Sequence, residues 1–130
     1  MTEKLPFAKS FQSLVGYQKS VDLAKEVFAA SEDFPDHEIY TLTNQIRRSS
    51  RSIGSQIAEA WAKRSYKKHF ISKLTDATAE LNETEHWLEI AYQCEYLSQA
   101  SYRELKDLTH EVGRLLGGMI KKADVFCQQK

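Results

Sequence analysis

Two short runs carry the residue types that build a carboxylate-bridged metal centre. Glu83-Thr84-Glu85-His86 is a Glu-x-x-His pair, and Asp107-Leu108-Thr109-His110 is a near match to it further along the chain. In four-helix bundles such pairs hold two iron ions when carboxylates and imidazoles all project inward. Phase decides whether they can. An apolar seam runs through Leu81, Thr84 and Leu88 at the first run and through Leu105, Leu108 and Val112 at the second. Glu83, His86, Asp107 and His110 then point outward, so the spacing suits a metal and the direction does not. His37 and His69 lie near helix starts with no Cys or His at zinc spacing. The cluster Ser49, Ser50, Ser52, Ser55 has no base beside it, and neither a Gly-rich phosphate loop nor a Walker-type lysine is present. Glu59 is expected to pair with Lys63 one turn on. The residues thus support a non-enzyme with no catalytic residue, metal ligand or cofactor.

The other chemistry on offer is cationic. The stretch Asn44 to Arg64 and the residues just after it hold seven basic side chains: Arg47, Arg48, Arg51, Lys63, Arg64, Lys67 and Lys68. Glu59 is the one acid between Asn44 and Lys68. On a helix of 100° per residue, Ile39, Leu42, Ile46, Ile53, Ile57 and Trp61 share one face, while Arg47, Arg48 and Arg51 share the opposite one. Such a stripe suits phosphates, because Lys and Arg release the counterions condensed on a nucleic acid. These seven residues are the candidate nucleic-acid contacts, for RNA or DNA without sequence preference. The alternative is a structural or protein-interaction scaffold in which the arginines meet the acidic run Asp76 to Glu95 of a neighbouring molecule.

The elements that must position these groups are helical. Only two prolines, five glycines and many Leu, Ala, Glu, Lys and Gln in 130 residues argue for one all-α domain. Helix one is expected from about Phe11 to Ser31 on the seam Leu14, Tyr17, Val21, Ala24, Phe28, Ser31. Helix two runs from about Pro35 to Lys63, roughly 43 Å at 1.5 Å per residue, with Gly54 as a possible bend and small residues that let a neighbour approach. Helix three spans about Ser65 to Tyr96, capped by Ser65, on the seam Phe70, Leu74, Ala77, Leu81, Thr84, Leu88, Ala91. Helix four follows, capped by Ser98 or Ser101, on the seam Leu105, Leu108, Val112, Leu115, Met119, with Phe126 beyond. Short links make an up-down-up-down four-helix bundle over residues 11–127 the economical fold, with a loose arm at 1–10 and a tail at 128–130. A second apolar set on helix three, Ile71, Trp87, Ile90 and Tyr92, is the expected subunit interface.

Charge is segregated although the net charge is zero. Six acids and no Lys or Arg lie between Asp76 and Glu95, and six acids face Lys25 alone between Asp22 and Glu38. No apolar run approaches the roughly 18 residues of a membrane span. The start MTEKLPFAKS lacks an apolar signal region. Cys94 and Cys127 are unpaired in spacing and read as reduced thiols, so the expected location is the cytoplasm.

At helix two the chain becomes recognisable. Phe34-Pro35-Asp36-His37-Glu38, Leu42, Gln45-Ile46-Arg47-Arg48-Ser49-Ser50, Ser52-Ile53 and Ile57-Ala58-Glu59 resemble the signature of the bacterial four-helix-bundle family, also called the 23S rRNA intervening-sequence protein family. Leu81-Asn82-Glu83-Thr84-Glu85-His86-Trp87-Leu88 and Glu95-Tyr96-Leu97 resemble its third-helix blocks. Gly54, Gln56 and Ala60 depart from the usual Pro, Asn and Gly. The resemblance implies a homo-oligomer, typically a pentameric ring of bundles. One related branch, the accessory variability protein of diversity-generating retroelements, implies nucleic acid and a reverse transcriptase as partners.

Overall fold

The computed structural model describes residues 8–127, so the expected arm falls largely outside them and the tail at 128–130 wholly so. Four long helices follow one another: α1 Val15–Ser31, α2 Asn44–Ala62, α3 Lys67–Gln93 and α4 Gln99–Lys121, with a short α5 at Ala123–Cys127. There is no strand among the described residues. α1 packs on α2 and α4, and α3 packs on the same two, which closes a four-helix bundle.

α3 follows its expected seam residue for residue. Phe70, Leu74, Ala77, Leu81, Thr84, Leu88 and Ala91 are its buried side chains. Thr84 tolerates burial because its hydroxyl donates to the Glu80 carbonyl at 2.9 Å and meets Ser49 Oγ of α2 at 2.8 Å. The helix starts at Lys67 on an extended Tyr66 with no side-chain cap, so Ser65 is not the N-cap. It ends at Gln93, three residues earlier than expected, in a Schellman turn. Tyr96 N–H reaches the Ala91 carbonyl at 2.8 Å, Glu95 N–H reaches Tyr92 at 2.9 Å, and Glu95 takes the left-handed φ of 65°. Ser98 caps α4, accepting from the Ser101 amide at 3.0 Å.

Three expectations are corrected. α1 begins at Val15 after a 3-10 turn at Phe11–Ser13. Its inward face is Gly16, Ser20, Leu23, Val27 and Ser31, and Tyr17, Val21, Ala24 and Phe28 lie off it. Small residues win this face because they let helices approach. A Cβ on Gly54 would meet Ser20 Oγ at 3.1 Å, and one on Gly16 would meet Met119 Sδ at 3.4 Å. The two serine hydroxyls are satisfied locally, by the Tyr17 carbonyl at 2.7 Å and the Phe28 carbonyl at 2.9 Å. On α4 the buried set is Leu105, Thr109, Val112, Leu116 and Met119, so Leu108 and Leu115 are only half-buried. Thr109 sheds its polarity onto the Lys106 carbonyl at 2.6 Å.

The third correction is at helix two. Pro35 leads into a 3-10 turn at Asp36–Glu38 and a π turn at Ile39–Thr43 before α2 begins. A π turn holds an extra residue, which breaks the 100° phase. Ile39 is therefore exposed, whereas Leu42, Ile46, Ile53 and Ile57 reach the core. The Glu38 carboxylate braces the turn. It accepts from Thr41 Oγ1 at 2.6 Å, from the Leu42 amide at 3.4 Å and from Tyr96 Oη, beyond the end of α3, at 2.9 Å.

Candidate functional site

The seven basic residues fall into two groups. Arg47, Arg48 and Arg51 sit on its first half. Lys63, Arg64, Lys67 and Lys68 sit at the α2–α3 turn, roughly 20 Å away at 1.5 Å per residue.

In the first group the three side chains diverge. Arg47 is half-buried; its Nε donates to Ser31 Oγ at 2.7 Å, and its guanidinium lies 4.3 Å from the Phe28 ring centroid. Arg51 is exposed, its guanidinium 5.3 Å from the same ring. Arg48 leans the other way, toward α3, with Nη2 4.0 Å from Glu83 Oε2. Part of the acidic run expected to meet a neighbour's arginines thus faces α2 of its own chain.

The second group lies at one end of the bundle. Lys63 and Lys68 are exposed and have no ion pair among the described residues. Glu59 pairs with Lys73 of α3 at 2.7 Å rather than with Lys63. Arg64 folds back, its Nε donating to the Trp61 carbonyl at 2.8 Å and its guanidinium 3.6 Å from that ring. Lys67 contacts Asp124 at 2.6 Å, which holds its ammonium above the usual lysine range. The antiparallel order brings a further pair to this end, Lys121 and Lys122 at the close of α4, both exposed. Residue spacing could not show them beside Lys67. The signal was present in the order of the helices, since a fourth antiparallel helix must end where the third begins.

The opposite end is acidic. Glu32, Asp33 and Asp36 are exposed at the α1–α2 turn, and Glu95 is exposed at the α3–α4 turn. Arg47 and Arg48, in the first turns of α2, lie toward this acidic end, whereas the lysines gather at the other.

Between α1 and α2 an open apolar groove of about 740 Å³ runs along the surface. Tyr17, Val21, Ala24 and Phe28 form one wall, and Ser50, Gly54 and Ala58 line the other. Phe11 packs edge-on against Tyr17, with centroids 4.9 Å apart. Near Phe28 and Arg51 the groove adjoins a second cleft, of about 540 Å³, flanked by Arg47, Arg48 and Arg51.

The expected interface set on α3 is less open. Ile71, Trp87 and Ile90 are half-buried against the bundle's own core. Trp87 Nε1 donates to Glu83 at 3.3 Å, and Tyr92 stacks on Tyr102 of α4 with centroids 4.1 Å apart. His86, Asp107 and His110 are exposed and Glu83 is half-buried; His110 Nε2 lies 3.0 Å from Glu85. No group of three or more His, Cys, Asp or Glu that could hold a metal occurs among the described residues. No described helix is long and apolar enough to cross a membrane.

A family profile described as "23S rRNA-intervening sequence protein" matches residues 12–118, and the chain belongs to that family. A crystal structure from Bacteroides thetaiotaomicron, described as a protein with unknown function from the S23 ribosomal protein family, is similar at 32% identity and a TM-score of 0.74. The match covers 82% of this chain and 99% of that one. A search of the curated proteins finds no match. Neither description names an enzymatic activity.

Proposed function

We propose that this member of the 23S rRNA-intervening sequence protein family is a non-enzymatic, self-associating bundle that binds nucleic acid through phosphates at its basic end. The observation that carries the reading is that end itself. Lys63, Arg64, Lys67, Lys68, Lys121 and Lys122 gather there, and within the pairs described only Lys67 has an acidic partner. Arg48 and Arg51 extend the positive surface up α2. Long side chains on a helix exterior reach phosphates more readily than base edges, so binding is without sequence preference. The assembly is a homo-oligomer, taken as a closed pentamer on the family resemblance.

Fluorescence anisotropy with labelled RNA and DNA, across a salt series, tests the reading. Affinity is expected to fall linearly on a log–log plot against salt. The change Lys63→Glu with Lys68→Glu is expected to flatten that slope without altering the helical circular dichroism. No detectable binding by the unmutated protein at low salt would end the nucleic-acid reading. A second reading, a protein-interaction scaffold, is favoured by the apolar groove between α1 and α2, which makes no use of phosphates.

A further inference from the structure

The groove between α1 and α2 is built like a helix seam that faces no helix of its own chain. Tyr17, Val21, Ala24 and Phe28 repeat at four- and three-residue steps, the spacing of an interhelical contact. Ser50, Gly54 and Ala58 face them at one-turn steps and keep the floor low. No Asp or Glu lines this groove or the adjoining cleft, and the charged side chains around them are Lys25, Arg47, Arg48 and Arg51.

The surface of complementary chemistry stands at the acidic end. The π turn swings Ile39 and Tyr40 away from the core, leaving them 44% and 88% exposed. Tyr40 is the most exposed large apolar side chain among the described residues. Exposed acids precede this pair in sequence: Glu32, Asp33 and Asp36. The protrusion is not slack, because Glu38 ties it to Thr41, Leu42 and Tyr96. An apolar projection with an acidic collar and an apolar groove with a basic collar match in polarity and charge.

We infer that the Ile39–Tyr40 projection of one copy seats in the α1–α2 groove of the next, its acidic collar meeting Lys25 and Arg51. The inference rests on the reading that the protein self-associates and assigns the surfaces that do it. Two different surfaces meet, so the contact is heterologous and repeats around a ring if the rotation closes. It also gives the π turn a purpose: the turn exposes an isoleucine and a tyrosine that a regular helix would have placed differently.

Sedimentation velocity of the full chain tests this, using two variants that each spoil one surface, Tyr40→Asp and Ala24→Asp. Both sites are at least partly open to solvent, and circular dichroism checks each fold. Each variant alone is expected to lose oligomer mass, with association weakened about tenfold or more, as for loss of an interface anchor. Mixed, they are expected to form a one-to-one dimer and nothing larger. The Ala24→Asp copy still offers its projection, and the Tyr40→Asp copy still offers its groove. Misfolded variants could not restore that dimer. If both variants keep the oligomer mass of the unmutated chain, the assigned surfaces are wrong while self-association stands. If both dissociate but the mixture stays monomeric, the pairing of these two surfaces is overturned. If the unmutated chain is a monomer across the micromolar range, self-association itself falls and the inference with it.

Discussion

Single residues fix the register of α3 and the brace at the acidic end. Leu81 and Leu88 are 5% and 1% exposed, whereas His86 between them faces solvent. Leu81→Ala or Leu88→Ala should therefore cost about 2–5 kcal/mol in chemical denaturation. His86→Ala should stay within about 0.5 kcal/mol, as surface changes do. The reverse order would mean that the register is displaced. Glu38 offers a pH test. Hydrogen bonds from Thr41 and Tyr96 hold its carboxyl below the usual glutamate range, and the same contact holds the Tyr96 phenol above its own. A depressed carboxyl adds stability above its unfolded pKa and loses it as pH falls through the folded value. A raised phenol adds stability below its unfolded pKa and loses it as pH rises through the folded value. Both contributions are complete near neutrality. Glu38→Ala should lower the thermal midpoint at pH 7, and that difference should shrink in acid as Glu38 of the unmutated chain is protonated. An unchanged midpoint at pH 7 would show that the brace contributes nothing.

At the scale of elements, the legibility of each helix followed the chemistry of its buried face. α3 buries mostly large apolar side chains, and its seam could be read residue for residue. α1 has two faces, and hydropathy favours the wrong one. Its inner face includes Gly16, Ser20 and Ser31, which pack by being small and by spending their hydroxyls on nearby carbonyls. Its apolar outer face, Tyr17 to Phe28, lines the groove instead. Thr109 misdirected the reading of α4 in the same way. The π turn could not be seen because periodicity assumes a constant angle per residue. Helix ends give a further test. Glu95 holds a left-handed φ of 65° at the position a Schellman turn normally gives to glycine. Glu95→Gly is expected to stabilise by about 1 kcal/mol, the cost of that conformation for a side-chain-bearing residue. Gly117 lies within α4 with nothing within 4 Å of an added Cβ, so Gly117→Ala should gain about 0.5–1 kcal/mol. Gly54→Ala should gain nothing, since its Cβ would press on Ser20 and Tyr17 at 3.1 and 3.3 Å. Urea midpoints of the three variants check the set, and a stabilising Gly54→Ala would contradict the close approach of α1 to α2.

For the whole molecule, the basic and acidic runs were visible in the sequence, but the gathering of Lys63, Lys67, Lys68, Lys121 and Lys122 at one end, away from Glu32, Asp33, Asp36 and Glu95, was not. That placement follows from antiparallel helices, which carry the ends of α2 and α4 and the start of α3 to one pole. Polarity has a consequence once copies associate head to tail around a ring. Every copy then presents its basic end on the same side, and the phosphates met there scale with the number of copies. Each phosphate neutralised steepens the log–log salt dependence by about 0.7–0.9. Binding by several linked ends also gains from effective concentration, which a lone bundle lacks. A variant that only breaks the ring should therefore weaken nucleic-acid binding although its basic end is intact. Tyr40→Asp is such a variant, since Tyr40 and the lysines of the basic end stand at opposite poles. Its salt slope should drop toward that of a single bundle, a larger loss than Lys63→Ala produces in the assembled protein. Anisotropy titrations of these two variants against the unmutated chain, at matched protomer concentration and across one salt series, measure the difference. Equal slopes for Tyr40→Asp and the unmutated chain, with the variant shown to be monomeric, would mean that each bundle binds alone and that the ring adds nothing to recognition.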